Sequence, residues 1–312
     1  MSGVIIRPLF ESDLAAADRI FRQAFGTFVG LPDPLEFAGD SDWVRSRWLA
    51  DPSTALAAEL DGELVGSNFV TCWGSVGIFG PLSVRPDLWN RGIARVLLQA
   101  TMPLFDRQGV VHAGLFTFAE SMKHLVLYQR FGFWPRFQTV VFAGPPAESA
   151  HELLCWSDVT PDDRPALLAA AQRLTHAVHP GLDLTREIRH VVEHGLGDVI
   201  LTGSPDELDG LAICHCGPGS EGGSEACFVK FGAARPGAGG EGRFGMLLDA
   251  CAALAHRRGL EHVIAGVNTA RRTAYRAVLA RRWRAELIGI AMHRHDDPAY
   301  NHPNALVLDD WR

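Results

Sequence analysis

Residues 83–98 read SVRPDLWNRGIARVLL, an apolar strand that runs through a glycine-centred turn into a helix. At a helix start four backbone N–H groups lack intrahelical acceptors and the macrodipole is positive. Asn90, Arg91, Gly92, Ile93, Ala94 and Arg95 are therefore placed to hold an anion such as a phosphate. Gly92 and Ala94 are small enough to let that anion reach the main chain, and Arg91 adds a charge-assisted donor. Taken alone, the turn fits an ordinary strand–turn–helix equally well.

The surrounding elements give it a context. GIFGPLSVRP ends a strand with a proline, and ARVLLQATMPLFDRQGV reads as an amphipathic helix closed by Gly109. The strand HAGLFTF follows, then the helix SMKHLVLYQRFGFWP, which carries Tyr128 and stops at Gly132, Phe133 and Trp134. Ahead of all these the pattern predicts a strand from Val4 to Pro8, a helix from Leu9 to Phe25 capped by Ser12 or Asp13, and a helix over 41–50. Thr54 to Leu60 and Glu63 to Trp73 form a hairpin through Asp61-Gly62, a dipeptide that suits a tight turn between apolar strands.

A V-x-P strand, an R-G-x-A turn, a helix, a strand and a Tyr-x-x-x-Gly-Phe helix end, in this order, resemble the core of the GNAT superfamily of acyl-CoA-dependent N-acetyltransferases over roughly residues 1–143. The resemblance implies an α/β domain whose mixed, mostly antiparallel sheet is flanked by helices, with a splayed strand pair at the acyl-CoA site. It implies acetyl-CoA as co-substrate, with backbone amides near Leu82, Ser83 and Val84 holding the pantetheine arm, and Tyr128 as the general acid for the departing thiolate. Trp89 stands where the family often has Gln or Arg, so the phosphate grip leans on Arg91 and the backbone, and the indole covers a cofactor face. Ser121 stands where the family often has Asn, and His124 where it usually has a small residue beside the cofactor. The fourth strand, SVGIFGPLSV, contains no carboxylate or histidine. Glu120 is the preferred general base, with Glu59, Asn68, His124 and an ordered water as alternatives. Phe28, Trp43, Trp48, Trp73 and Trp134 make the acceptor side aromatic, and Asp33, Glu36 and Asp40 form an acidic loop that is either a lure for a cationic amine or merely solvated.

Composition sets the frame. At 312 residues the chain has the length of about two domains, and its 47% apolar content suffices for two cores. No apolar run approaches the roughly 20 residues of a membrane span, and MSGVIIRPLF lacks a signal peptide's pattern, so a cytoplasmic protein without a membrane partner is expected. A net charge of −7, with lysine only at Lys123 and Lys230, argues against nucleic acid as a partner. The six cysteines form no framework. Cys214-His215-Cys216 has no companion ligand pair, so buried strand cysteines are expected rather than a metal site.

The chain also repeats itself at an offset of 150: Arg85-Pro86 and Arg235-Pro236, Gly92 and Gly242, Leu97-Leu98 and Leu247-Leu248, Gly109 and Gly259, His112 and His262, Phe133 and Trp283. A duplicated fold follows, with a first domain over 1–145 and a second over 146–312, divided near AGPPAESA at 143–150. In the second copy Glu241 replaces Arg91, Phe244 replaces Ala94, Leu279 replaces Tyr128 and Arg282 replaces Gly132; Tyr275, one turn earlier, is a weak substitute acid. His112 reads as structural because its counterpart persists in this degenerate copy. The expectation is an N-acetyltransferase working on a small-molecule primary amine in its first domain, with the halves packed as a pseudo-dimer or the chain as a homodimer. An acyl-CoA-binding sensor or scaffold without turnover is the alternative. Mycothiol synthase also joins two such domains, but carries its chemistry in the second, which here is the eroded one.

Overall fold

The computed structural model describes residues 3–148 and 153–312; of the expected boundary segment, residues 149 and 150 lie outside it. The first half runs β1 (Val4–Pro8), α1 (Leu14–Val29), α2 (Trp43–Ala50), β2 (Ala55–Leu60), β3 (Glu63–Trp73), β4 (Val76–Phe79), β5 (Ser83–Val84), α3 (Ile93–Arg107), β6 (His112–Phe118), α4 (Met122–Gln129) and β7 (Phe133–Gly144). The second repeats the plan: β8 (Leu154–Cys155), α5 (Arg164–Val178), α6 (Thr185–Glu193), β9 (Gly197–Gly203), β10 (Leu208–Gly217), β11 (Gly223–Ala234), α7 (Gly240–Arg257), β12 (His262–Asn268), α8 (Arg272–Ala280), β13 (Arg284–Arg294) and β14 (Val307–Leu308).

Local chemistry explains most boundaries. Asp61 and Gly62 both have positive φ (52° and 82°), which turns β2 into β3 with Leu60 facing Glu63. The Asp42 carboxylate accepts the Arg45 N–H at 2.8 Å and starts α2. The first helix starts at Leu14 rather than Leu9: residues 11–13 form a single 3-10 turn, and Asp13, instead of capping the helix, is taken by the Arg7 guanidinium at 2.6 Å.

The halves do not form two separate sheets. The strand order is β1-β2-β3-β4-β6-β13-β7-β12-β11-β10-β9-β8, with β5 on β3 and β14 on β11. Thus β13 of the second half inserts between β6 and β7 of the first, while β7 inserts between β13 and β12. Pairing is antiparallel except for β4 with β6 and β11 with β12. The first half lends β7 and the second lends β13, so the division at 145/146 marks the repeat in sequence but not a division of the sheet. The core crosses the seam as well: Trp73 packs edge-on against Phe231 at 5.5 Å and donates its indole N–H to buried Glu187 at 3.1 Å.

A buried ionic chain ties the seam. Arg47 on α2 bonds both carboxylate oxygens of Glu221 at 3.0 and 3.1 Å and the Gly80 carbonyl at 2.9 Å. Lys230 reaches Glu221 and Glu187 at 2.9 Å each. Burial alone would raise the Glu221 carboxyl, but Arg47 and then Lys230 outweigh it and hold it below the usual carboxylate range.

Candidate active site

The parallel pairing of β4 with β6 runs from Val76 opposite His112 to Ile78 opposite Gly114 and stops there. Beyond Phe79 the chain turns back to pair β5 with β3, Ser83 opposite Ser67, and the sheet opens. This is the splay expected near Leu82 to Val84. A cavity of about 1070 Å³ fills the opening.

The start of α3 borders that cavity. Gly92, at φ 77°, precedes the helix, and Asn90 at φ 64° bends the turn. The first bond of the helix runs from the Val96 N–H to the Gly92 carbonyl at 3.2 Å, which leaves the N–H groups of Ile93, Ala94 and Arg95 without helical acceptors. Trp89 donates its indole N–H to the Val84 carbonyl at 2.7 Å, fastening the turn to β5. Leu82, Val84, Trp89, Asn90, Gly92, Ile93, Ala94 and Arg95 all line the cavity. Two expected members do not: Ser83 is buried with its hydroxyl 3.2 Å from that of Ser67, and Arg91 is exposed outside the lining. The cations that do line the cavity are Arg95, Lys123 and Arg130, together with Arg312 from the far end of the chain. Lys123 lies 5.6 Å from the Trp89 ring and so stands beside the turn. Sequence reasoning passed over it because it belongs to α4, whose approach to the turn is set by tertiary packing.

Tyr128, on the inner side of α4, lines the same cavity and packs edge-on against Phe79 at 5.6 Å. Its hydroxyl has no hydrogen-bond partner among the described residues, and burial pushes its pKa up, so it stays protonated at neutral pH. Ser121 and His124 line the wall beside it; the imidazole stacks on Phe28 at 5.4 Å and is shifted down by burial and then by Lys123.

Neither of the carboxylates weighed as a base, nor Asn68, stands free in the cavity. Glu120 is exposed outside the lining, Glu59 is paired with Arg7 at 2.8 Å, and Asn68 is buried on Thr101 at 2.8 Å. Glu221 and Glu286 line the cavity, but Arg47 and Lys230 hold the first and Arg284 the second. The acidic loop is held away as well: Asp33 accepts the Leu35 N–H, Asp40 accepts the Ser224 N–H, and the loop is tied to Arg22 through the Phe37, Gly39 and Ser41 carbonyls. Of the aromatic residues proposed for the acceptor side, Phe28 and Trp43 line the cavity. Trp73 is core, Trp48 is fixed to the Leu9 carbonyl at 2.9 Å, and Trp134 is exposed. His112 is buried against His293 and Trp311, away from the cavity lining. Cys214 and Cys216 share one buried face of β10, in a core with Cys227 and Cys251.

The second half has the same splay, filled. β11 pairs with β12 from Ala226 to Val229, then departs, and β14 lies in the gap with Leu308 opposite Gly232 and Val307 opposite Ala233. Leu306 covers the helix start: a Cβ on Gly240 would come within 2.7 Å of it. One correspondence inferred from the offset shifts here, and another returns to it, since Val278 lies 150 residues beyond Tyr128. The glycine that precedes α7 with φ 77° is Gly239, not Gly242, because α7 begins three residues early relative to the repeat. The counterpart of Tyr128 in register is Val278, fully buried, whereas Leu279 is exposed. Phe244, in place of Ala94, is packed in the core.

Comparison with known proteins agrees with this geometry. Residues 16–133 match the model of the Acetyltransferase (GNAT) family. Mycothiol acetyltransferases of Clavibacter sepedonicus and Clavibacter michiganensis subsp. michiganensis are 32% and 30% identical over 92 residues, a stretch that spans 30% of this chain and only 30% of theirs. A putative acetyltransferase from Pyrococcus horikoshii shares the fold over 97% of this chain and 92% of its own, with a TM-score of 0.70 at 15% identity. A GCN5-related N-acetyltransferase from Sphaerobacter thermophilus does so over 94% and 96%, with a TM-score of 0.57 at 18% identity. The two-part α/β architecture is therefore shared across the whole chain.

Proposed function

We propose that the protein is an acetyl-CoA-dependent N-acetyltransferase with one working centre, in the first half, that acylates a small primary amine. The supporting observation is that the unpartnered N–H groups at the start of α3 and the unpartnered phenol of Tyr128 border one cavity at the splay. The diphosphate of acetyl-CoA would sit on the N–H groups of residues 92–95 with Arg95 and Lys123 beside it. The pantetheine would run along the main chain at Leu82 and Val84 into the splay. The amine nitrogen bonds to the thioester carbonyl carbon, the C–S bond breaks, and the thiolate takes the phenolic proton of Tyr128. The apolar setting that keeps the phenol protonated also raises the proton affinity of a thiolate formed beside it.

Because Glu221 is held by Arg47 and Lys230 and Glu286 is an exposed partner of Arg284, the nitrogen's proton would leave through water, or the amine arrive neutral; the lining group that a protein base would use is the His124 imidazole. The pH dependence of kcat/KM is then expected to follow the pKa of the amine and to move when the amine is changed. A profile fixed across amines of different basicity would point to a protein base instead. The reading is tested by CoA release across an amine panel, with Tyr128→Phe as the paired variant. Cofactor affinity near wild type with turnover reduced about 10- to 1000-fold is expected. Unchanged turnover removes Tyr128 from the chemistry, and acetyl-CoA binding without CoA release from any amine points to a sensor.

A further inference from the structure

We propose that the acceptor carries an anionic group on an aromatic or aliphatic body, and that Arg312, supplied by the second half, reads that group; this rests on the reading above. The cations at the turn would serve the cofactor, whereas Phe25, Phe37, Trp43, Phe228 and Trp311 also line the cavity, rings that suit an apolar body. The Arg312 guanidinium sits among them, 5.5 Å from the Trp43 ring and 5.0 Å from that of Phe228.

Its Nε bonds Asp310 at 2.9 Å, and no partner for its Nη atoms is found among the described residues. A guanidinium held on one edge among rings, with the donors of the other edge unspent, matches a carboxylate or a similar planar or tetrahedral anion. Glu221, an acid that lines the same cavity, is already matched by Arg47 and Lys230. An acceptor lacking an anion would leave those donors to water alone.

The position of Arg312 is set by the strand that fills the second cleft. Arg271 bonds Asp309 at 2.6 Å and Asn301 at 2.7 Å, Tyr300 donates to Asp309 at 2.6 Å, and Trp311 donates its indole N–H to Tyr300 at 2.9 Å, all buried. Gly114 on β6 admits the indole, since a Cβ there would lie 2.3 Å from the Trp311 ring. The segment that closes one cleft thus completes the acceptor wall of the other.

The test is CoA release with matched pairs that differ only in the anion, such as phenylalanine against phenethylamine and tryptophan against tryptamine, for wild type, Arg312→Gln and Arg312→Lys. Wild type is expected to favour the anionic member at least about 10-fold in kcat/KM, the scale of one charge-assisted contact. Arg312→Gln is expected to lose that preference through KM with kcat and acetyl-CoA affinity unchanged, and Arg312→Lys to recover part of it. Turnover with no anion preference, or a preference that survives Arg312→Gln, overturns the assignment of Arg312 and leaves the acetyltransferase reading standing. No CoA release from any amine overturns both.

Discussion

The two halves present one cleft in two conditions. In the first, β4 and β6 part around an open cavity bordered by the bare start of α3 and by Tyr128. In the second, β11 and β12 part in the same way, but β14 occupies the gap, Leu306 covers Gly240, and Phe244 and Val278 fill the places of Ala94 and Tyr128. The difference lies in occupancy rather than topology. A splayed pair leaves edge groups and apolar surface to be satisfied; one copy leaves them bordering a cavity, and the other satisfies them with its own chain. The closed copy is also joined to the open one, because β13 pairs with β6 and the C-terminal Trp311 and Arg312 line the open cavity.

The largest effect should come from separating the copies. Removing residues 146–312 takes β13 from between β6 and β7 and bares both edges, so the remaining fragment is expected to be insoluble or unfolded by circular dichroism. A soluble, fully active fragment would show that the copies are independent. Next comes the ionic seam: Arg47→Met leaves Glu221 buried beside one cation fewer and should cost about 3–5 kcal/mol in urea unfolding, part of it regained when Glu221→Gln is added. Equal stability would mean the seam is not held there.

A smaller effect is set by pH. Burial pushes His112 down to about 4, in the first half, and His190 and His293 to about 4 and 3, in the second. These imidazoles are neutral when folded and take up protons in the unfolded chain below about pH 6.5. Stability is therefore full above that value and falls as pH drops from about 6.5 towards 4, by roughly 1–2 kcal/mol per histidine at pH 5. His112→Leu should flatten the slope of unfolding free energy against pH, and an unchanged slope would remove His112 from the account.

Much of the first half was legible in the sequence, because its signals are local. Asp61-Gly62 fixes a hairpin, Gly92 fixes the turn into α3, and the spacing from Tyr128 to Gly132 marks the end of α4. What was illegible depends on contacts between residues far apart. The exchange of β7 and β13 leaves the strand pattern of each half unchanged, so no periodicity signals it. The arrival of Lys123 beside Trp89 and the exclusion of Arg91 depend on how α4 and the turn meet. The run Ala305 to Leu308 is a short apolar stretch after Pro303 and Asn304, and nothing in it names the cleft it fills. The offset of 150 was a true signal read too rigidly: a three-residue extension of α7 moves the turn glycine to Gly239 while the helix beyond stays in register.

The direct test of the open and closed clefts is calorimetric titration of the whole chain with acetyl-CoA, wild type beside Ala94→Phe, which installs the second copy's residue in the first. One equivalent per chain is predicted, with affinity lowered about 100-fold or more in the variant, near the upper end of what overpacking a tight contact costs. Two equivalents per chain, or equal affinity in both proteins, would contradict it.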